Sequence, residues 1–409
     1  MTDPASGNAF MMVVGEPVEV VGAGPERTKF LMDGETAAIC VVNANAVVGG
    51  FTVSGAGRTD AAFSGSSVSV SQGVVSNVVI RDSEVWGSAV YVGMGGLFTS
   101  SIVTNLSYRT GVTSAYPVGL SGGTLEDVVI AGNSVWDGGG IRLLQTAIDG
   151  VRATIRRVKV VGNTIARTTP YTGHPVACGI VASQRVDVYD SEFTDNEGGA
   201  VICAIANNDC VPNLTLTNCR IVGNRISDCD GALVAASHQP VTVVNTLIAG
   251  NVGGRGVCVT EGSSGSLFRN CAVSGNVAAN AVNAGIVATS GKYGLTVVNC
   301  VFWGNRGNGG EGSANAEFVP GETVPAVRNC CWPEATRENG NTPDDPKLRT
   351  VKRYRYYPSP TGSCYETGDA TGWTDADVDL AGNPRLRDEK VDIGCYQAVP
   401  LPGLMLMLK

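Results

Sequence analysis

Lys159, Glu192 and Arg220 occupy one place, a single position ahead of a central apolar residue, in three successive units of a repeating chain. Spaced this way they make a column of alternating charge on one face. Three carboxylates, Asp187, Asp190 and Asp195, fall close to Glu192. Acidic groups that hold Ca²⁺ beside a base that removes the proton next to a uronate carboxylate are the working parts of a polysaccharide lyase. On that reading Glu192, Arg220 and Lys159 are the candidate catalytic residues, and Asp187, Asp190 and Asp195 the candidate Ca²⁺ ligands. The same column also reads as plain ion pairing between stacked strands, which needs neither metal nor cofactor.

Aromatic residues form a second candidate site. Trp86, Tyr108 and Trp136 each follow a central apolar residue by six positions in successive units, and Trp303 stands one residue past another. Facing outward, such a file is a flat platform for sugar rings; facing inward, it is ordinary aromatic packing. Only two histidines are present, His174 before Pro175 and His238 before Gln239, and both read as loop residues rather than general bases. Gly22-Ala23-Gly24 lacks the third glycine and the following helix of a dinucleotide fingerprint.

Composition narrows the classes. The chain has 409 residues, 54 glycines, 16% charged residues and a formal net charge of −8, a profile that excludes a basic nucleic-acid-binding face. The cationic stretch Lys347 to Arg355 reads as a solvated strand. The apolar run Leu401 to Leu408 is far shorter than the roughly 20 residues of a membrane-spanning helix. Met1 to Gly15 shows no basic start or apolar core of a secretory signal. Thirteen cysteines follow no metal-binding spacing. Cys219, Cys271, Cys300 and Cys330 instead keep step with the repeat, which leaves stacked small side chains or disulfides between neighbouring units as their roles.

The elements that position these residues come from the repeat itself. Asn105, Asn133, Asn163, Asn196, Asn224, Asn251, Asn276 and Asn305 are separated by 28, 30, 33, 28, 27, 25 and 29 residues. Most close a heptad of the type Asn218-Cys-Arg-Ile-Val-Gly-Asn224 or Asn245-Thr-Leu-Ile-Ala-Gly-Asn251. The central apolar residues are Val53, Ile80, Ile102, Ile130, Val160, Phe193, Ile221, Ile248, Val273, Phe302 and Trp332. A short strand, a glycine corner and another strand, repeated without helical periodicity, predict an all-β parallel β-helix of about eleven coils. Coils stack about 4.8 Å apart, so eleven make a rod roughly 50 Å long. An amide at one turn of every coil bonds its equals above and below, which makes the asparagines a structural ladder.

The C-terminal segment carries four ordered motifs: Asp345-Pro-Lys-Leu348, Ser363-Cys-Tyr-Glu-Thr-Gly-Asp369, Asp379-Leu-Ala-Gly-Asn-Pro-Arg385 and Val391-Asp-Ile-Gly-Cys-Tyr-Gln397. With the heptads, they make the chain resemble bacterial right-handed parallel β-helix repeat proteins of the pectate-lyase-like superfamily that end in a choice-of-anchor Q module. Tyr365, Glu366, Cys395 and Gln397 depart from the usual Ile, Asp, Ala and Glu. The resemblance implies residues 1–44 as an N-terminal cap and first coils, 45–332 as repeats and 333–409 as a C-terminal capping module. It further implies an extracellular or cell-surface protein, adhesin-like and without general catalytic activity, whose partner is a polysaccharide or surface glycan. A lyase or glycoside hydrolase acting on acidic polysaccharide, with Ca²⁺, is the alternative, and a purely structural spacer a third.

Overall fold

The computed structural model describes residues 10–32, 37–55, 66–85, 87–108, 115–136, 139–144, 151–165, 177–204, 214–226, 231–235, 240–259, 265–278, 284–289, 294–307, 315–320, 322–350 and 356–398. Trp86, His174 and His238 lie outside the described residues. Within them the regular structure is strand alone. One face is a sheet of twelve parallel strands, from Phe10–Val14 and Ala37–Val41 to Ile286–Thr289 and Ala316–Val319. The other large sheet holds pairs of short strands bent about a corner, such as Leu214–Thr217 with Arg220–Val222 and Val241–Val244 with Leu247–Ala249. Each strand pairs in parallel with its equivalent one coil on. The third face is narrow: Ser134–Val135 pairs with Thr164–Ile165, and single bridges continue it through Glu197, Arg225, Val252, Val277 and Arg306. Among the described residues the coil makes about nine turns, slightly fewer than the eleven expected.

Alternation decides what fills the coil. Ile80, Ile130, Val160, Phe193, Ile221, Ile248 and Phe302 are fully buried and stacked in register, as their strand parity requires. One expected member is wrong by a residue. Val103 pairs with Ile80 and Ile130, whereas Ile102 is 41% exposed. The slip arises because Ile102 and Val103 are both apolar, and a shift of one residue exchanges the two faces of a strand.

The same slip moves Asn105 off the ladder. Asn105 is exposed at φ 51°, taking the left-handed corner that Gly132 (φ 62°) takes one coil later. Asparagine is one of the few residues that tolerates that conformation. Leu106 therefore occupies the ladder position, where its N–H donates to Asn133 Oδ1 at 3.0 Å. From Asn133 the ladder is continuous through Asn163, Asn196, Asn224, Asn251, Asn276 and Asn305, and it extends to Asn315. Each rung repeats one pattern. Asn224 Nδ2 donates to Asn251 Oδ1 at 2.8 Å and to the Phe193 carbonyl at 3.0 Å, while its Oδ1 accepts from the N–H and Nδ2 of Asn196. Every amide hydrogen and lone pair is thus used in the buried interior, where an unmade bond costs about 1–3 kcal/mol. Glu334 closes the end by accepting from the Asn315 N–H.

The stacked cysteines are free thiols. Each donates to the carbonyl two residues back, at 3.4 Å for Cys219, 3.3 Å for Cys271 and Cys300 and 3.2 Å for Cys330. Ser101, Ser191 and Thr246 make the same bond with hydroxyls in other coils. Burial pushes the Cys219 thiol up to about 12, so at this position it is a hydrogen-bonding thiol.

Residues after the last coil do two things. Cys331 bridges to Thr342, and Asn341 Oδ1 accepts from the Cys330 N–H, so this stretch covers the end of the coil. The remainder, through Ala398, folds back along the side of the rod, bonded to coils as far upstream as Arg220.

Candidate functional site

The docked segment decides which parts of the lateral surface are free. A column of corner residues, all in the left-handed conformation, runs down one edge: Asp127, Arg157, Asp190, Asn218, Asn245, Asn270, Asn299 and Asn329. These are the first residues of the heptads, and their regularity in the sequence matches that of the ladder. The C-terminal chain bonds these corners in reverse order. Asn329 donates to the Thr367 carbonyl, Asn299 to that of Asp369 and Asn245 to that of Val378, while Trp373 Nε1 donates to Asn270 Oδ1. The chain then returns, so that Asn270 also donates to the carbonyls of Asp392 and Gly394.

Beneath it the outward side chains are apolar. Val222, Leu247, Ala249, Ala272 and Val301 pack with Tyr357, Leu380, Ile393 and Tyr396 in a second core outside the coil. Upstream, the equivalent outward positions carry Lys159 and Glu192 and stay open to solvent.

The four C-terminal motifs are the framework of this segment. Asp379 accepts from the N–H groups of Ala381, Asn383 and Gln397. Asp392 accepts from the N–H groups of Glu366 and Ala398, and Gln397 joins the Asp392 N–H to the Arg385 carbonyl. Arg385 is fully buried, with its guanidinium against the Trp373 ring.

Lys159, Glu192 and Arg220 are brought side by side on adjacent strands, Lys159–Val161, Glu192–Thr194 and Arg220–Val222. Arg220 Nη1 donates to Glu192 Oε1 at 3.1 Å, and Arg220 Nη2 donates to the Leu380 carbonyl. Burial pulls the Arg220 guanidinium down, but the Tyr396 phenol and Glu192 outweigh it and hold it above its ordinary value. Arg220 is therefore committed both to its neighbour and to the docked segment, and Lys159 is exposed.

The three aspartates take separate posts. Asp187 pairs with Arg152 on the preceding coil. Asp190 is a corner residue accepting from Asn218 Nδ2 at 3.0 Å, and Asp195 sits at the corner before ladder residue Asn196 at φ 53°. Among the described residues no group of three or more His, Cys, Asp or Glu side chains is placed to hold a metal ion. A neighbouring fork, Arg157 on Glu126 and Asp127 at 2.6–2.8 Å, holds the Asp127 carboxyl below its ordinary range.

Of the aromatic candidates, Tyr108 and Trp136 meet, with ring centroids 5.4 Å apart and planes tilted by 43°, and both are half-exposed. Tyr108 pairs with Val85 rather than with position 86, another result of the one-residue slip. Trp303, next to the buried Phe302, faces outward by strand parity and packs against the second core.

A solved structure titled "The complex structure of XylC with xylose" is similar over 89% of this chain and 67% of that one, at 13% identity and a TM-score of 0.39. No curated protein sequence matches. The family model described as "Right handed beta helix region" matches residues 37–273 and 210–319, more than half of the chain. No described helix is long and apolar enough to cross a membrane. The heptads, the parallel three-faced coil and the family match together place the chain in the right-handed β-helix family.

Proposed function

We propose that the protein is a non-catalytic surface module that binds carbohydrate on the lateral face of its β-helix, with Tyr108 and Trp136 as the contact. The observation that carries this reading is the Tyr108–Trp136 pair: two half-exposed rings in contact on adjacent coils, away from the part of the side covered by the C-terminal segment. Such rings stack on the apolar face of a pyranose and lose little conformational entropy in doing so. The charged column supports binding over lyase chemistry, because Arg220, its most basic member, is held by Glu192 and by the Leu380 carbonyl. An extracellular or cell-surface location suits such a module.

The test is a polysaccharide panel read in two channels, retention of the protein and release of reducing ends or unsaturated uronate, with and without Ca²⁺. Retention without product, lost by ~10-fold or more in Tyr108→Ala and Trp136→Ala with folding unchanged, is the expected result. Product formation sensitive to Glu192→Gln would replace this reading with the lyase, and silence in both channels would favour a spacer.

A further inference from the structure

Most of the described cysteines are placed by the coil or the second core in ways that need only a small buried side chain, but one pair joins two parts of the fold. Cys330 and Cys331 are adjacent in the last coil and point in opposite directions, Cys330 into the main core and Cys331 outward into the core shared with the docked segment. Cys364, from the Ser363-Cys364 motif, enters that same core from the other side. Both Cys331 and Cys364 are fully buried. Cys331 Sγ lies 3.3 Å from the Asp344 carbonyl and 3.5 Å from Ser363 Oγ, the residue directly before Cys364.

We propose that Cys331 and Cys364 are a disulfide site that fastens the C-terminal segment to the last coil. The surroundings supply the chemistry. A hydrogen bond from Cys364, helped by Ser363 and opposed by burial, holds the Cys331 thiol below its ordinary value, whereas burial drives Cys364 well above. Cys219, Cys271, Cys300 and Cys395 are all shifted upward by burial. The hydrogen bond from Cys364 thus puts the two thiols in contact in the docked fold, beside the Cys331–Ser363 contact.

The oxidant is a small disulfide such as glutathione disulfide, and it reaches Cys331 while the segment is undocked, since both sulfurs are buried afterwards. The Cys331 thiolate attacks one sulfur of the oxidant and expels a thiolate, giving a mixed disulfide. Docking then brings Cys364 against it; Cys364 gives its proton to solvent, attacks the Cys331 sulfur and expels the second thiolate. Two protein thiols are oxidised and one small disulfide is reduced to two thiols. The bond forms where the compartment is oxidising and stays open where it is reducing.

The full chain is refolded in a glutathione redox buffer, alkylated under denaturing conditions and digested without reductant for mass spectrometry. A Cys331–Cys364 cross-linked peptide, ~2 Da lighter than the two reduced peptides together and abolished by dithiothreitol, is expected as the principal product. Cys331→Ser or Cys364→Ser should leave no cross-link at the other partner, and circular dichroism reports whether each variant is folded. Full alkylation of both thiols after oxidative refolding of the unmodified chain overturns the proposal without reference to either variant. A cross-link elsewhere in place of this one, such as Cys271 to Cys395 or between stacked coil cysteines, also overturns it.

Discussion

Arg385 Nη2 donates to Asn245 Oδ1 at 2.9 Å across 140 residues of sequence, and the same nitrogen donates to the Gly394 carbonyl at 2.7 Å. One guanidinium thus ties the outgoing and returning legs of the C-terminal segment to a single corner of the coil. It is entirely shielded from water, and burial lowers it to about 10 against the pull of surrounding acidic groups. A shielded cation of this kind persists because hydrogen bonds and the Trp373 ring replace its hydration.

Arg385→Ala should therefore destabilise the protein by about 3 kcal/mol, since Asn245 Oδ1 and the Gly394 carbonyl are left without this donor. Denaturant unfolding measures the loss, and limited proteolysis should release residues from the C-terminal segment before the coil is cut. A variant that unfolds and resists protease as the parent does would remove Arg385 from this role.

The ladder and its near neighbour give opposite expectations for the same substitution. Asn224→Ala strands the Phe193 carbonyl and the amide groups of Asn196 and Asn251, at a cost of about 3 kcal/mol or more. Asn105→Ala removes an exposed bond to Asp82 and a tolerated left-handed residue, with a cost of about 1 kcal/mol. Thermal unfolding of the two variants side by side separates them; equal losses would contradict the placement of Leu106, rather than Asn105, on the ladder.

Within the charged column, Glu192→Gln should change stability by less than about 1 kcal/mol, as expected of a half-exposed ion pair. Arg220→Ala should cost more, about 2 kcal/mol, because the Leu380 carbonyl of the docked segment loses its donor as well. Equal effects in urea titrations would mean that Arg220 does not anchor the segment.

The acid response should carry the mark of Asp392. Burial raises its carboxyl above the ordinary 3.8, against the bonds from the Ala398 and Glu366 N–H groups. The folded chain takes up that proton at higher pH than the unfolded chain. Between the raised value and 3.8 the contribution of Asp392 to stability grows as pH falls, and it is level outside that window. The stability difference between the parent and Asp392→Asn should shift in the parent's favour as pH is lowered through this range. A difference that is constant, or that moves the other way, would show that the carboxyl is not raised in the folded state.

The coil is legible in the amino-acid sequence because its requirements are local. An amide that must satisfy itself inside a stack, a left-handed corner that admits glycine or asparagine, and a two-residue alternation recur visibly in every heptad. Where two neighbouring residues satisfy the same requirement, as Ile102 with Val103 and Asn105 with its corner do, local pattern cannot choose between them, and pairing with Ile80 and Ile130 makes the choice. The corner asparagines and the apolar outward residues Leu247, Ala249, Ala272 and Val301 are legible signs that something covers those coils. Which segment covers them is settled by the folded chain, because the bonds from Arg385 to Asn245 and from Arg220 to Leu380 span chain distances that no repeat encodes. The candidate site follows the same division. Strand parity places Lys159, Glu192 and Arg220 in one column, while the docked segment gives Arg220 its second partner, the Leu380 carbonyl, and leaves the half-buried Tyr108 and Trp136 uncovered.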